Sequence, residues 1–263
     1  IDSATVTITN LQDGSAESLA VNTGGTSLSA GYNSATGVLS LTGTDTAATY
    51  EQVLRTIVYN NTSQDPGETA RTVEFLVTSG SQSSPVATST VSVLAVNDPP
   101  SITGLTLTDS SINENESATL NGSFSDPESG DTHTVVINWG DGSAVTTLPL
   151  AAGVSTFSAS HPYLDDDPTN TPSDVFPIQV SVTDDGGLSD SASTQVTVNN
   201  VAPTLSNVAM TPEIDENEFA TLSADIFDPG TLDTFTLEVN WGDGNADTYE
   251  YDAGTTSFSE THQ

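Results

Sequence analysis

The 263-residue sequence has no cysteine and no lysine, and its only fixed cations are Arg55 and Arg71, set against 36 acidic residues for a formal charge of −34. Each absence excludes something. Without cysteine there is no disulfide to staple a small core, and without lysine no lysine–asparagine isopeptide crosslink can form. So acidic a surface repels nucleic acid and anionic membranes, so neither is expected as a partner; its natural partner is a cation. The three histidines, His133, His161 and His262, form no His-Glu-x-x-His motif, and no Gly-x-Ser-x-Gly occurs, so the common hydrolase signatures are missing. No apolar run approaches the roughly 20 residues that span a bilayer, and Ile1 opens directly in a strand pattern with nothing like a signal peptide before it. The expectation is a segment of a longer exported chain.

What is present is alternation. Acidic chains are often disordered, but short runs of Val, Ile, Leu and Thr recur here between Gly, Asn, Asp, Ser and Pro, the pattern of all-β sandwiches. In residues 1–98 such runs fall at 5–9, 18–21, 38–41, 56–59, 73–77 and 90–95, with one possible helical turn over 46–55, where Tyr50, Val53 and Leu54 share a side.

The longest-range regularity is a repeat. Asn138-Trp139-Gly140-Asp141-Gly142 returns as Asn240-Trp241-Gly242-Asp243-Gly244, an offset of 102 residues; the same offset carries Ile112-Asn113-Glu114-Asn115-Glu116 onto Ile214-Asp215-Glu216-Asn217-Glu218. A repeat of that length is a domain. The reading is three sandwiches: 1–98, truncated at its start; 99–202, complete; and 203–263, broken off at Gln263. The proline-bearing linkers Val96-Asn97-Asp98-Pro99-Pro100 and Val198-Asn199-Asn200-Val201-Ala202-Pro203 separate them. The third unit as it stands would expose unpaired strand edges, so its sheet is expected to continue in a parent chain or to be completed by another molecule.

Two resemblances follow from these residues. Tyr50-Glu51-Gln52-Val53-Leu54-Arg55-Thr56-Ile57-Val58-Tyr59-Asn60-Asn61, with Pro66 and Arg71-Thr72-Val73-Glu74-Phe75, resembles the cadherin-like tandem repeat of giant bacterial surface proteins, although that family usually has an aspartate where this chain has Ser79. Trp139-Gly140-Asp141-Gly142, then His161-x-Tyr163 and Val182-Thr183-Asp184-Asp185-Gly186-Gly187, resembles the polycystic-kidney-disease-type (PKD) repeat. The resemblances imply tandem immunoglobulin-like and cadherin-like β-sandwiches arranged as an elongated rod, extracellular or on a bacterial cell surface, serving as spacer or adhesive modules and not as catalysts.

Hard cations take six to eight oxygen ligands, so a calcium site needs acidic loops that converge. Successive connections of a seven-strand sandwich alternate between its poles. At the pole where the chain enters the second sandwich this gathers Asp126, Glu128 and Asp131 with Asp184 and Asp185, next to Asn97 and Asp98. At the exit pole it gathers Glu114 and Glu116 with Asp165, Asp166 and Asp167, beside Asn199 and Asn200 and facing Asp228 and Asp233 of the third sandwich. Calcium at these junctions is the expected cofactor, by likeness to the interdomain calcium of cadherins; solvated surface is the bland alternative. Expected partners are calcium, neighbouring repeats of the same parent chain and, beyond those, other copies or surface glycans.

The bland reading is preferred for Asp141 and Asp243, since Gly-Asp-Gly is a tight-turn signal by itself. Carboxylate pairs of a glycosidase kind are abundant, but on loops with few aromatics to hold a sugar. Trp139 and Trp241 read as core anchors, and His161 as a structural neighbour of Tyr163. Asn61-Thr62-Ser63 and Asn121-Gly122-Ser123 would accept a glycan in an exported chain. The functional expectation is a non-catalytic structural or adhesive segment; the alternative is a spacer or carbohydrate-binding region attached to a secreted hydrolase.

Overall fold

The computed structural model describes residues 1–166 and 171–263. The chain divides into two compact units, Ile1–Asp98 with Pro127–Ser129, and Pro99–Asp126 with Gly130–Gln263. Among the described residues no helix is long and apolar enough to cross a membrane.

The first unit runs β1 (Ser3–Ile8), β2 (Glu17–Ala20), β3 (Ser29–Asn33), β4 (Val38–Thr42), α1 (Ala47–Leu54), β5 (Val58–Asn61), β6 (Arg71–Ser79), β7 (Gln82–Ser83) and β8 (Ala87–Val91). One sheet has the order β3-β4-β1-β6-β7 with β8 also on β6, and β2 pairs with β5. Alternation sets the faces: Ala4, Val6 and Ile8 point inward from β1 onto Leu39 and Leu41 of β4. Helix α1 starts at Thr46, whose side chain accepts from the Thr49 N–H, and buries Tyr50 and Val53. The run expected at 56–59 begins later as β5, because Thr56 and Ile57 close the helix through bonds to the Val53 and Leu54 carbonyls. Strand β3 carries no alternation and was not anticipated; pairing with β4 specifies it.

The second unit holds both repeats. Its first sandwich runs β9 (Ser101–Leu107), β10 (Ser111–Asn113), β11 (Glu116–Ser125), β12 (His133–Asn138), β13 (Thr146–Leu150), β14 (Thr156–Tyr163), β15 (Ser173–Asp184) and β16 (Ser189–Asn199). The sheets β10-β16-β15-β12-β13 and β14-β11-β9 form an immunoglobulin-like sandwich. Its leading strand is split: β9 pairs antiparallel with β11 in one sheet, while β10 pairs parallel with β16 in the other. Between the sheets lie Leu120, Val135, Ile137, Trp139, Ile178, Val180, Val182 and Val196, each contributing on the order of 1.5–3 kcal/mol by burial.

The second repeat comprises β17 (Thr204–Met210), β18 (Ala220–Phe227), β19 (Phe235–Asn240), β20 (Ala246–Tyr251) and β21 (Ser257–His262), in sheets β17-β18-β21 and β19-β20. Local backbone repeats with the sequence: Asn115 and Asn217 are left-handed at φ 60° and 71°, and Gly140 and Gly242 at 85° and 88°. At Gly140 a side chain would also meet the Pro177 carbonyl oxygen, so glycine is required there twice over.

Candidate cation site

Glu114 sits in the turn between β10 and β11, and main-chain bonds to two other strands fix it. Its N–H donates to the Asn199 carbonyl at 3.0 Å, and the Asn115 N–H donates to the Tyr163 carbonyl at 2.6 Å. Asn115 makes the corner because asparagine tolerates the left-handed conformation. The Glu114 side chain is thereby carried to the end of the sandwich where β14 and β16 also finish, and it is 1% exposed. Its Oε1 accepts from the Val201 N–H at 2.7 Å. Its Oε2 is buried with no hydrogen-bond partner among the described residues.

Three further carboxylates meet it. Asp165 and Asp166 follow β14, and Asp233 lies in the β18–β19 loop of the next repeat; one ligand atom from each of the four lies within 4.8 Å of the others. The two segments are tied to each other: the Leu232 N–H donates to Asp165 Oδ2 at 2.6 Å and the Thr231 N–H to the Leu164 carbonyl at 3.2 Å. Gly230 closes the floor. A methyl group there would overlap Glu114 Oε2 and come to 2.7 Å from Asp233 Oδ2.

The electrostatics follow from burial. Loss of solvent, opposed by the Val201 N–H and reinforced by Asp233, Asp228 and Asp166, pushes the Glu114 carboxyl up to about 7. Asp228 is also raised, by burial first and then by Asp165, although the Gly230 N–H to its Oδ1 works the other way. Oxygens on opposite sides of a calcium ion, each 2.3–2.6 Å from it, lie about 5 Å apart, and the four ligand atoms here fall within that limit. The donor set is all oxygen, with no imidazole or thiolate to favour a softer transition metal. An open cleft lined in part by Asp165, Asp166, Asn200 and Asp233 gives access.

The other residues expected as ligands fall in different places. Glu116 turns away, its Oε2 accepting from the Asn113 N–H at 2.9 Å as a local cap. The Asn199 amide donates to Ser111 Oγ and the Ile112 carbonyl, holding β10 to β16. Asp167 lies outside the described residues. Asp126, Glu128 and Asp131, in the β11–β12 loop, also offer atoms within 4.8 Å of one another. Asp184 and Asp185 are not in that group: Asp184 accepts from the Leu188 N–H at 2.8 Å, and Asp185 faces Thr132. They are nonetheless felt there, because burial together with Asp185, Asp126 and Asp184 raises the Asp131 carboxyl. Asn97 and Asp98 belong to the first unit, where Asp98 accepts from the Gln64 side chain at 3.2 Å.

One constellation escaped the sequence reading. Asp141 does more than make a turn: its Oδ1 accepts from the Ser143 N–H, and its Oδ2 lies 2.7 Å from His161 Nε2. The His161 ring stacks on Trp139 at 4.9 Å. Asp243, His262 and Trp241 repeat the arrangement, with stacking again at 4.9 Å. The Trp-Gly-Asp shared by both copies, followed by a histidine 22 residues after Trp139 and 21 after Trp241, was the available signal. Ser143, His161 and Asp141 are not a catalytic relay, since serine and aspartate approach the same ring nitrogen and none orients the base from the other side. Trp139 is 1% exposed and offers no sugar platform. The Asn61 side chain donates to Asp13 Oδ2 at 2.6 Å and accepts from the Ser63 N–H at 2.9 Å.

No protein-family model matches the sequence, and no curated protein matches it. Among solved structures, the chain is similar to the PKD domain of an M14-like peptidase from Thermoplasmatales archaeon SCGC AB-540-F20, at 21% identity and TM-score 0.32, over 40% of this chain and 99% of that one. It is also similar to a marsupial T cell receptor, at 11% identity and TM-score 0.31, over 100% and 96%. A third is the FN1–FN3 segment of chicken CNTN1, at 9% identity and TM-score 0.28, over 98% and 83%. The sandwich assignment itself stands on the strand pairing described above.

Proposed function

We propose that this chain is a non-catalytic structural or adhesive segment of a large exported bacterial surface protein or extracellular filament, and that calcium bound by Glu114, Asp165, Asp166 and Asp233 stiffens it between its two similar repeats. The observation that carries the reading is the Glu114 carboxylate, buried with one oxygen unpartnered among three other acids contributed by two sandwiches. A buried anion surrounded by anions is destabilising unless a cation joins it. A divalent ion there ties the end of β14 to the β18–β19 loop in a chain that has no disulfide or lysine crosslink to do so. Isothermal titration of the full chain with calcium tests the principal site. Binding that falls at least tenfold in D166N and D233N is expected; heats indistinguishable from buffer, or unchanged in both variants, would contradict the assignment.

A further inference from the structure

The first unit buries a cation of its own. Arg71, the first residue of β6, is fully buried, and each of its three guanidinium nitrogens donates to an oxygen. Nε donates to Glu17 Oε1 at 2.7 Å; Nη1 donates to the Gly67 carbonyl and, at 2.7 Å, to the Thr69 carbonyl; Nη2 reaches Asp13 Oδ2 and lies 2.7 Å from Glu17 Oε1. The acceptors come from three places: the β1–β2 loop, the start of β2 and the loop before β6. They are themselves held. The Gly67 N–H and the Asn61 amide donate to Asp13, and the Gln12 and Asp13 N–H groups donate to Glu17 Oε1. Burial pushes the Asp13 carboxyl up, but these donors and the guanidinium outweigh it and hold it below the ordinary carboxylate range.

Two carboxylates and two carbonyls around one buried positive charge make an all-oxygen cage, the donor chemistry that a hard divalent cation takes. A second observation points the same way: Glu17 is fully buried, yet its Oε2 has no hydrogen-bond partner among the described residues, so the cage holds more acceptor capacity than the guanidinium uses. We propose that the Asp13–Glu17–Gly67–Thr69 cage is a cation site whose resident is the chain's own Arg71, and that emptying it of the guanidinium converts it into a divalent-cation site. In the natural chain this gives the first unit a counter-ion that no chelator can remove. The second unit, whose clustered acids include no arginine partner, depends on a dissociable one.

The test is hydrogen–deuterium exchange on the full chain, read on peptides covering β1 and β6, with chelator and then with about 10 mM calcium, an excess over the roughly 10⁻⁴–10⁻³ M dissociation constants of extracellular sites. In the natural chain the protection of these peptides should be the same in both conditions. Arg71→Ala should lose protection about a hundredfold or more in chelator, because Glu17 and Asp13 lose their buried counter-ion, and recover most of it in calcium. The triple variant D13N/E17Q/R71A, with the cage neutralised, should show no calcium response. Arg71→Lys, with a fixed charge but fewer donors, should be intermediate and insensitive to calcium. Chelator-dependent loss of β1 and β6 protection in the natural chain overturns the proposal. So does an R71A variant indifferent to calcium, whether folded or unfolded, and so does an equal calcium response in the triple variant. Peptides from β10 and β16 report the Glu114 site separately, so failure of either reading is distinguishable from failure of the other.

Discussion

Replacing Glu114 with glutamine should change stability in opposite senses with and without calcium. Two routes give the size of the effect. Lifting the carboxyl to about 7 from its ordinary range weighs about 3 kcal/mol against the ionised form at pH 8, at 1.36 kcal/mol per pH unit. Independently, three pairs of like charges, each within 4.8 Å, cost about 1 kcal/mol apiece at the dielectric of water and more where water is displaced. Glutamine keeps an oxygen for the Val201 N–H and places an amide donor among the aspartates. In chelator at pH 8, E114Q should therefore be more stable by about 2–3 kcal/mol, a rise in Tm of roughly 4–12 °C at about 2–4 °C per kcal/mol for a unit of this size. Calcium reverses the comparison. At a hundredfold excess over its dissociation constant it adds about 2.7 kcal/mol to the natural chain, and E114Q, short of a buried ligand, should gain little. Tryptophan fluorescence is the assay, since Trp139 and Trp241 both lie in the second unit. An E114Q variant less stable than the natural chain in chelator, or one that retains the full calcium increment, would refute the reasoning.

Gly122→Ala should destabilise the second unit by about 1–3 kcal/mol, with calcium present or absent, and so lower its Tm, because a methyl group there overlaps the Phe157 ring that lies across β11; calcium titration of the variant should still saturate. Gly230→Ala removes no charge, yet should weaken calcium binding at least tenfold by intruding on Glu114 and Asp233, as read by isothermal titration. In chelator, the raised Glu114 carboxyl contributes stability that is fully present below about pH 4.5 and is lost as pH rises through about 7; denaturation midpoints should fall across that window, and the fall should be absent in E114Q. The opposite sign holds for Asp243, held down to about 2 by bonds from Asn245 and His262: its contribution is present above about pH 4 and disappears as pH drops towards 2.

How much of this could be read from residues alone depended on whether the signal was local. Alternation located β1, β4, β11, β12, β15 and β16, since each has one face in a core. Strand β3, exposed on nearly every residue, has no such signal. The pole argument joined Glu114 to Asp165, Asp166 and Asp233 across more than a hundred residues, because strand topology decides which loops meet. It could not choose between Glu114 and Glu116, two residues apart; that choice is made by the left-handed Asn115 and the bonds from Glu114 to β16 and from Asn115 to β14. The Arg71 cage was illegible for a different reason: its two carboxylate partners lie 54 and 58 residues away, in a loop and at the start of a short strand, and an arginine in an acidic chain reads as surface.

The central claim, that calcium stiffens this chain as a structural element, is tested most directly by small-angle scattering of the full chain in calcium and then in chelator. The account predicts a greater maximum dimension and a narrower spread of conformations in calcium, and loss of both on chelation and in the D166N/D233N double variant. Scattering curves that superimpose in the two conditions would contradict it and leave the acidic loops as solvated surface.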